Sequence, residues 1–344
     1  FAKYGAVNLL FADETTSLIP VEPSKQTFAG YLGSHSTFGI GGRTTSFLSY
    51  FEKLRKCPVA SAALCVISEK EVEKCNKMKT AFRAQMLKPE LSCVKAHSAI
   101  GCMQLIYEGY ADLAVLDAGD IFKGGQDYQI EPILAEQYNI NETSYYVVAI
   151  AKQSDKDTDL LYLKGKRSCH SGYGLASGWV IPLSFLLSNG RMRPYGCDST
   201  RAASEFFQKS CAPGALSREF TGHGNIWEYG NLCDLCHGES YRFCSRDSSE
   251  PFYGDTGALR CLVEGGGEIA FARHTTIFHN TAGRNPQWWA RNVIPNDFEL
   301  LCRDGTRNFF SDYRNCNLGK VSSNAIVTHR RKDDFHKDAY INLF

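Results

Sequence analysis

Residues 166–181 read KRSCHSGYGLASGWVI. A Cys-His pair leads into small residues and glycines, and then into an apolar run of helical character. Backbone N–H groups at such a helix start lack intrahelical partners and form an anion site. A doubly charged anion wants a fixed cation beside it. Where an arginine is wanted, the chain has Leu175. The stretch keeps the shape of an anion cradle and drops its charge.

Working outward, the apolar runs AALCVIS (62–68), SCVKA (92–96), ADLAVLDAG (111–119), YYVVAIA (145–151), EIAFA (268–272) and NAIVTH (324–329) read as buried strands. Helical stretches alternate with them. Ser68 and Glu71 form an S-x-x-E capping box, followed by Val72, Cys75, Met78, Phe82 and Met86 on one helix face. IGCMQLIYEGY (100–110), SGWVIPLSFLL (177–187) and AASEFFQKS (202–210) are further helices. The alternation predicts an α/β fold with mainly parallel sheets, in which ligands gather at the carboxyl ends of strands. Asp117 stands at one such end, although an exposed turn aspartate would look the same. GGG at 265–267 has no Lys-Ser/Thr after it and reads as a flexible turn, not a phosphate cradle. Trp288-Trp289 reads as packing over a core edge. No internal repeat is visible.

At 344 residues the chain is longer than one compact domain needs. Its 43% hydrophobic and 22% charged content is that of a globular protein, and the net charge of +1 gives no electrostatic reason to bind nucleic acid. RRK at 330–332 is balanced at once by Asp333 and Asp334. Fourteen cysteines, an even count, point to disulfides in an oxidising compartment. The pair Cys233–Cys236 lacks a second CxxC, an HxxxH or a thioredoxin-like strand, so it reads as disulfide rather than zinc or redox chemistry. Asn141-Glu142-Thr143 is a glycosylation sequon, which agrees with secretion. No apolar run is long enough to span a bilayer and no signal peptide is present, so the start at Phe1 reads as a mature or cleaved product.

Several segments together resemble a transferrin lobe: LCVISEKEVEKC, LSCVKA, ADLAVLDAGDIF, SYYVVAIAK, LKGKRSCHSGYG, ASGWVIP, EFFQKSCAPG, LCDLC, YGDTGALRCLVEGGGEIAFARHTTIF and FELLCRDGTR. They run in the family's order from about residue 64 to 344. AFRAQMLKPELSCV and HTTIFHNTAGRNPQWWA resemble the second lobe of melanotransferrin and its insect relatives. NLLFADETTSLIPV and TFAGYLG resemble a lobe's closing segment, here placed first. Residues 1–57 are therefore expected to be either the tail of a preceding lobe or a permuted part of this one, with GSHSTFGIGGRTTSF (33–47) as a flexible insertion. The resemblance implies two α/β domains of periplasmic-binding-protein type around a hinged cleft. Residues 58–145 would form domain 1, 146–321 domain 2, and 322–344 the return to domain 1. It also implies the disulfides Cys65–Cys102, Cys75–Cys93, Cys169–Cys261, Cys211–Cys236, Cys233–Cys244 and Cys302–Cys316, leaving Cys57 and Cys197 to pair with each other or outside the chain.

Family members bind ferric iron with carbonate, using one carboxylate, two phenolates and one imidazole. On this pattern Asp117 in LDAG is the retained carboxylate and Tyr145 in SYYVVA the retained phenolate. The second phenolate position holds Asp255, and the imidazole position Asn324. Tyr253 on a strand would share a face with 255 but be displaced along it, and His329 would lie on the other face of its strand. Ser171 retains the anion-binding hydroxyl, and Leu175 replaces the anion's arginine. The resemblance thus implies a lobe that does not hold ferric iron and carries no cofactor of its own. A closed cleft would gather Asp117, Asp255, Asn324 and Ser171 into an oxygen cluster suited to Ca²⁺ or Mg²⁺ rather than Fe(III), or into solvated cleft residues.

The leading expectation is a non-enzymatic, secreted or cell-surface structural or interaction module, partnered by a first lobe that carries any iron. The second is an altered cleft binding a divalent cation or small anion. An enzyme built on His170, Ser171 and Asp255 is disfavoured, because adjacent side chains point apart. Membrane anchoring in melanotransferrin-like proteins uses a C-terminal signal that would lie beyond INLF (341–344).

Overall fold

The computed structural model describes residues 17–20, 58–138, 142–222 and 226–344. The sequon asparagine Asn141, Cys57 and most of the 1–57 segment lie outside the described residues. Through the first part of the chain run β1 (Ser17–Pro20), β2 (Ser61–Val66), α1 (Glu69–Ala84), β3 (Glu90–Lys95), α2 (Ala99–Glu108), β4 (Leu113–Leu116), α3 (Ala118–Asp127) and β5 (Ile130–Gln137). Next come β6 (Ser144–Lys152), β7 (Arg167–His170), α4 (Ile181–Ser188), α5 (Ser199–Phe206), β8 (Lys209–Cys211), α6 (Arg218–Thr221), α7 (Gly254–Val263) and β9 (Ile269–Arg273). The rest comprises α8 (Thr276–Asn280), β10 (Phe298–Leu301), β11 (Arg307–Asn308), β12 (Gly319–Ser322), β13 (Ala325–His329) and α9 (Asp334–Leu343). The strands form two sheets: β1-β5-β13-β4-β2-β3, and β11-β10-β6-β9-β7-β8 with β12 paired to β6. The α/β architecture holds, but the sheets are mixed rather than mainly parallel. Two continuous crossings, β5 into β6 and β12 into β13, carry the chain between sheets and pair antiparallel with their neighbours. Parallel pairing survives at β2/β3, β2/β4, β7/β8 and β7/β9, where helices make the return.

The apolar strand runs are explained by burial on both faces. Leu64, Leu113 and Ile326 enter one cluster with Met78 and Phe82, while their neighbours Cys65, Ala114 and Val327 enter another with Met103 and Ile106. The second domain has one large core around Tyr145, Val147, Ile150, Phe271 and Leu259. In α1, Cys75, Met78 and Phe82 are buried as the periodicity predicts. Met86 is not: it lies past the helix end, at φ 54°, and is 87% exposed. The Trp pair splits, Trp289 being buried while Trp288 is exposed beside the Arg260 guanidinium.

Six disulfides join Cys65–Cys102, Cys75–Cys93, Cys169–Cys261, Cys211–Cys236, Cys233–Cys244 and Cys302–Cys316. Cys197 is exposed, with no disulfide partner among the described residues. No helix among them is long and apolar enough to cross a membrane.

Candidate functional site

The cleft between the two sheets is built from strand ends and helix starts. Asp117 ends β4 and caps α3, its Oδ1 accepting from Gly119 N–H at 2.9 Å. The same oxygen accepts from Ala176 N–H at 2.8 Å, across the cleft. Ala176 opens the turn that leads into α4, with Leu175 at its cap. One backbone donor of the KRSCHSGYGLASGWVI turn is thus taken by a protein carboxylate. Domain approach there is tight: a Cβ on Gly119 would sit 2.2 Å from the Gly174 carbonyl oxygen. Ser171 lies at the end of β7, its hydroxyl 3.1 Å from that of Ser177. Ser177 in turn donates to Asp255 Oδ1 at 2.8 Å.

Tyr253 and Asp255 are not on a strand, which corrects the expected relation between them. Gly254 at φ 78° turns the chain, Tyr253 caps α7, and Asp255 sits in its first turn. Asn324 lies between β12 and β13, and its backbone carbonyl accepts from Glu136 N–H at 2.8 Å. His329 lies at the far end of β13, where Nδ1 accepts from Arg331 N–H and the ring faces Tyr107.

The residue that unites the site is Arg273, at the end of β9. Its Nη2 donates to Asn324 Oδ1 at 2.8 Å and its Nη1 to Tyr138 Oη at 2.5 Å. Nε lies 2.9 Å from Asp255 Oδ2, an ion pair bent away from hydrogen-bond geometry, and Nη2 lies 3.9 Å from Asp117 Oδ2. Glu136 stands 4.0 Å away, bonded to the Tyr138 hydroxyl at 2.6 Å. The guanidinium carbon is 4.5 Å from the Tyr145 ring centre. Asp117, Tyr145, Asp255 and Asn324 thus converge around a buried cation supplied by the chain itself. Of the expected oxygen set, Asp117, Asp255 and Asn324 face this guanidinium, while the Ser171 hydroxyl bonds Ser177 instead.

Burial pushes the Tyr145 phenol well up, and Asp117 adds to this against the pull of Arg273. The hydroxyl stays protonated and lies 3.5 Å from Asp117 Oδ2. Burial also raises Asp255, while Arg273 and Ser177 pull it back. Nothing in the sequence spacing connects position 273 with 117, 255 or 324. Only the β6/β9 register, which sets Arg273 opposite Val147, brings it beside Tyr145. His170 and Ser171 do not converge with Asp255 as a hydrolytic set. The buried His170 ring bonds Gly178 O at 2.7 Å and Ser168 Oγ at 2.8 Å, within the core.

Besides the Arg273 contacts, the described residues include further links between the domains. Arg246 Nη2 donates to both carboxylate oxygens of Asp120 at 3.0 Å, Ser98 Oγ donates to Glu219 Oε1 at 2.6 Å, and Asp117 holds Ala176 N–H.

The transferrin family model matches residues 62–344. Transferrin 2 of Drosophila melanogaster is 52% identical over 344 residues, covering 99% of this chain and 40% of that protein. Melanotransferrin of Oryctolagus cuniculus is 37% identical over 335 residues, covering 94% of this chain and 42% of its own length. Otolith matrix protein 1 of Oncorhynchus mykiss is 36% identical over 271 residues, 78% of this chain and 73% of its own. The chain thus spans about two fifths of the length of the first two relatives. Proteins of this kind bind and transport iron and are not enzymes. With two mixed sheets, paired crossing strands and a polar cleft between them, the chain belongs to the transferrin family.

Proposed function

We propose that this lobe does not hold ferric iron, and that it serves as a structural or interaction module of a secreted or cell-surface iron-binding protein. The observation that carries the reading is Arg273, whose fixed positive charge stands among Asp117, Tyr145, Asp255 and Asn324. A ferric ion would have to enter beside that guanidinium and find two phenolates, yet position 255 supplies a carboxylate. Carbonate would need the Ala176 N–H that Asp117 occupies and a cation where Leu175 stands. The same arrangement argues against a divalent ion, since the oxygen set already has its counter-charge.

On this reading Asp117 and Tyr145 are inherited ligand positions, Asp255 and Asn324 substituted ones, and Ser171 and Leu175 the remains of the anion site. Iron binding would then belong to a companion lobe. We further propose that residues 1–57 form a lobe's closing segment, that Asn141 carries a glycan, and that Cys197 pairs with Cys57 or with a partner segment. The pairing of β1 with β5 in the first sheet supports a place for part of 1–57 beside this lobe.

Ferric titration in bicarbonate tests the reading through the visible tyrosinate–iron band. The expected result is no band at one iron per chain. A band at that stoichiometry sinks the proposal.

A further inference from the structure

We infer that the cleft cavity beside the Arg273 cluster binds a small primary amine with an apolar body. The inference rests on the reading that the chain's own groups, not iron and carbonate, fill the inherited site. A cavity of about 340 Å³ remains between the domains, within the range that accepts small organic ligands. Its apolar lining comes from Leu64, Met78 and Ala99 of one domain and Leu175 of the other. Leu175 is the same substitution that removes the anion's cation, so it converts a charged lip into a hydrophobic one.

Two polar groups without a full set of partners share this lining. Glu71 accepts Ile67 N–H through Oε2 at 2.7 Å and forms no ion pair among the described residues. Lys74, one turn further on α1, lines the rim with its side chain exposed and is not ion-paired to it. Tyr253 lines the same cavity, and its hydroxyl makes no hydrogen bond among the described residues. The other acids nearby are already engaged: Asp120 by Arg246, Asp117 by Ala176 N–H, and Asp255 by Arg273. Glu71 is left without an ion pair, its nearest cation being the exposed Lys74, which acts on it only through space. The carboxyl is half-buried, and burial pushes Glu71 up while the Ile67 N–H and Lys74 pull it back.

Each alternative ligand class meets an obstacle. An oxyanion finds Leu175 and four carboxylates, Glu71, Asp117, Asp120 and Asp255, with Arg273 already engaged by Asp255 and Asn324 and Lys74 at the rim. A bare metal ion finds one uncommitted carboxylate against an apolar wall. An ammonium on an apolar body satisfies both kinds of lining, with Glu71 and Tyr253 taking its N–H groups and Leu64, Met78 and Leu175 covering the rest.

Calorimetry of the full chain with 2-phenylethylamine, 2-phenylethanol and 3-phenylpropionate tests this. We expect one amine per chain, with the alcohol and the carboxylate at least about tenfold weaker, as loss of a charge-assisted contact implies. Glu71→Gln keeps an oxygen for Ile67 N–H and should weaken the amine about tenfold, and Tyr253→Phe about threefold. No amine binding, equal binding of amine and alcohol, or amine affinity untouched in both folded variants would overturn the inference. If Glu71→Gln fails to fold, Tyr253→Phe and the analogue series decide. Ferric salt and bicarbonate in a parallel titration separate the two readings. A tyrosinate band overturns the role given to Arg273, whereas a silent amine isotherm without that band overturns the amine site alone.

Discussion

At the scale of single residues, the proposal that this cleft holds no ferric iron rests on the charge of Arg273. Restoring Leu175→Arg, Asp255→Tyr and Asn324→His together should give tighter ferric binding than the part-repairs add up to, because metal and anion each need the other's charge nearby. Those changes also strip Arg273 of two partners, so adding Arg273→Ser should raise affinity further. Tyrosinate absorbance during ferric titration reads both, and a triple variant that outbinds the quadruple one would contradict the role of Arg273. A second residue-scale expectation concerns His170, whose burial lowers its pKa to about 4. Nδ1 donates to Gly178 O, so Nε2 must accept from Ser168. Above the unfolded value near 6.5 both states are neutral, and this residue adds no pH dependence. Between there and about 4 only the unfolded chain takes the proton, so stability falls with pH by up to about 3 kcal/mol. His274, lowered likewise by burial, adds a similar term. Urea midpoints at neutral and mildly acid pH should show a shallower loss in His170→Asn than in the parent. Of this chemistry the sequence displays the substitutions at 175, 255 and 324, since each sits inside a recognisable motif. It does not display Arg273, whose role arises from strand register.

The secondary-structure elements were legible where burial is two-sided. The runs containing Leu64, Leu113, Val148 and Ile326 read as core strands and the Ser68 cap marks where α1 begins, whereas α3 was not legible, since Asp117 reads equally as a strand-end or turn aspartate. Less legible was strand direction. Local periodicity is the same for parallel and antiparallel neighbours, so the two crossing strands could not be distinguished from ordinary ones by pattern alone. Asp255 was misplaced on a strand for a related reason: a single glycine at φ 78° converts GDTGAL from extension to helix. Between elements, the Cys169–Cys261 bond fastens β7 to α7 across 92 residues. Its removal in a Cys169→Ala/Cys261→Ala variant should cost about 4–5 kcal/mol in the loop-closure picture. Guanidinium unfolding measures this, and a loss under about 1 kcal/mol would mean the unfolded chain is little constrained by the link.

For the whole molecule, the question is what holds the cleft shut. Asp120–Arg246, Ser98–Glu219 and Asp117–Ala176 join the domains without any outside group. A ligand shifts a conformational equilibrium only by its differential affinity for the two states. Small-angle scattering should therefore give the same radius with and without ferric salt and bicarbonate, and a clear compaction on their addition would refute this. Arg246→Ala leaves Asp120 buried and unpaired and should expand the particle. The Gly119–Gly174 approach has a further consequence. With no room for even a methyl group between the two backbones, the pair works as a gauge of domain spacing set by the covalent chain. A receptor reading the surface across both domains would meet one outline in iron-rich and iron-poor medium alike. In a two-lobe protein such a lobe carries no information about cargo and offers a constant handle by which the whole can be held.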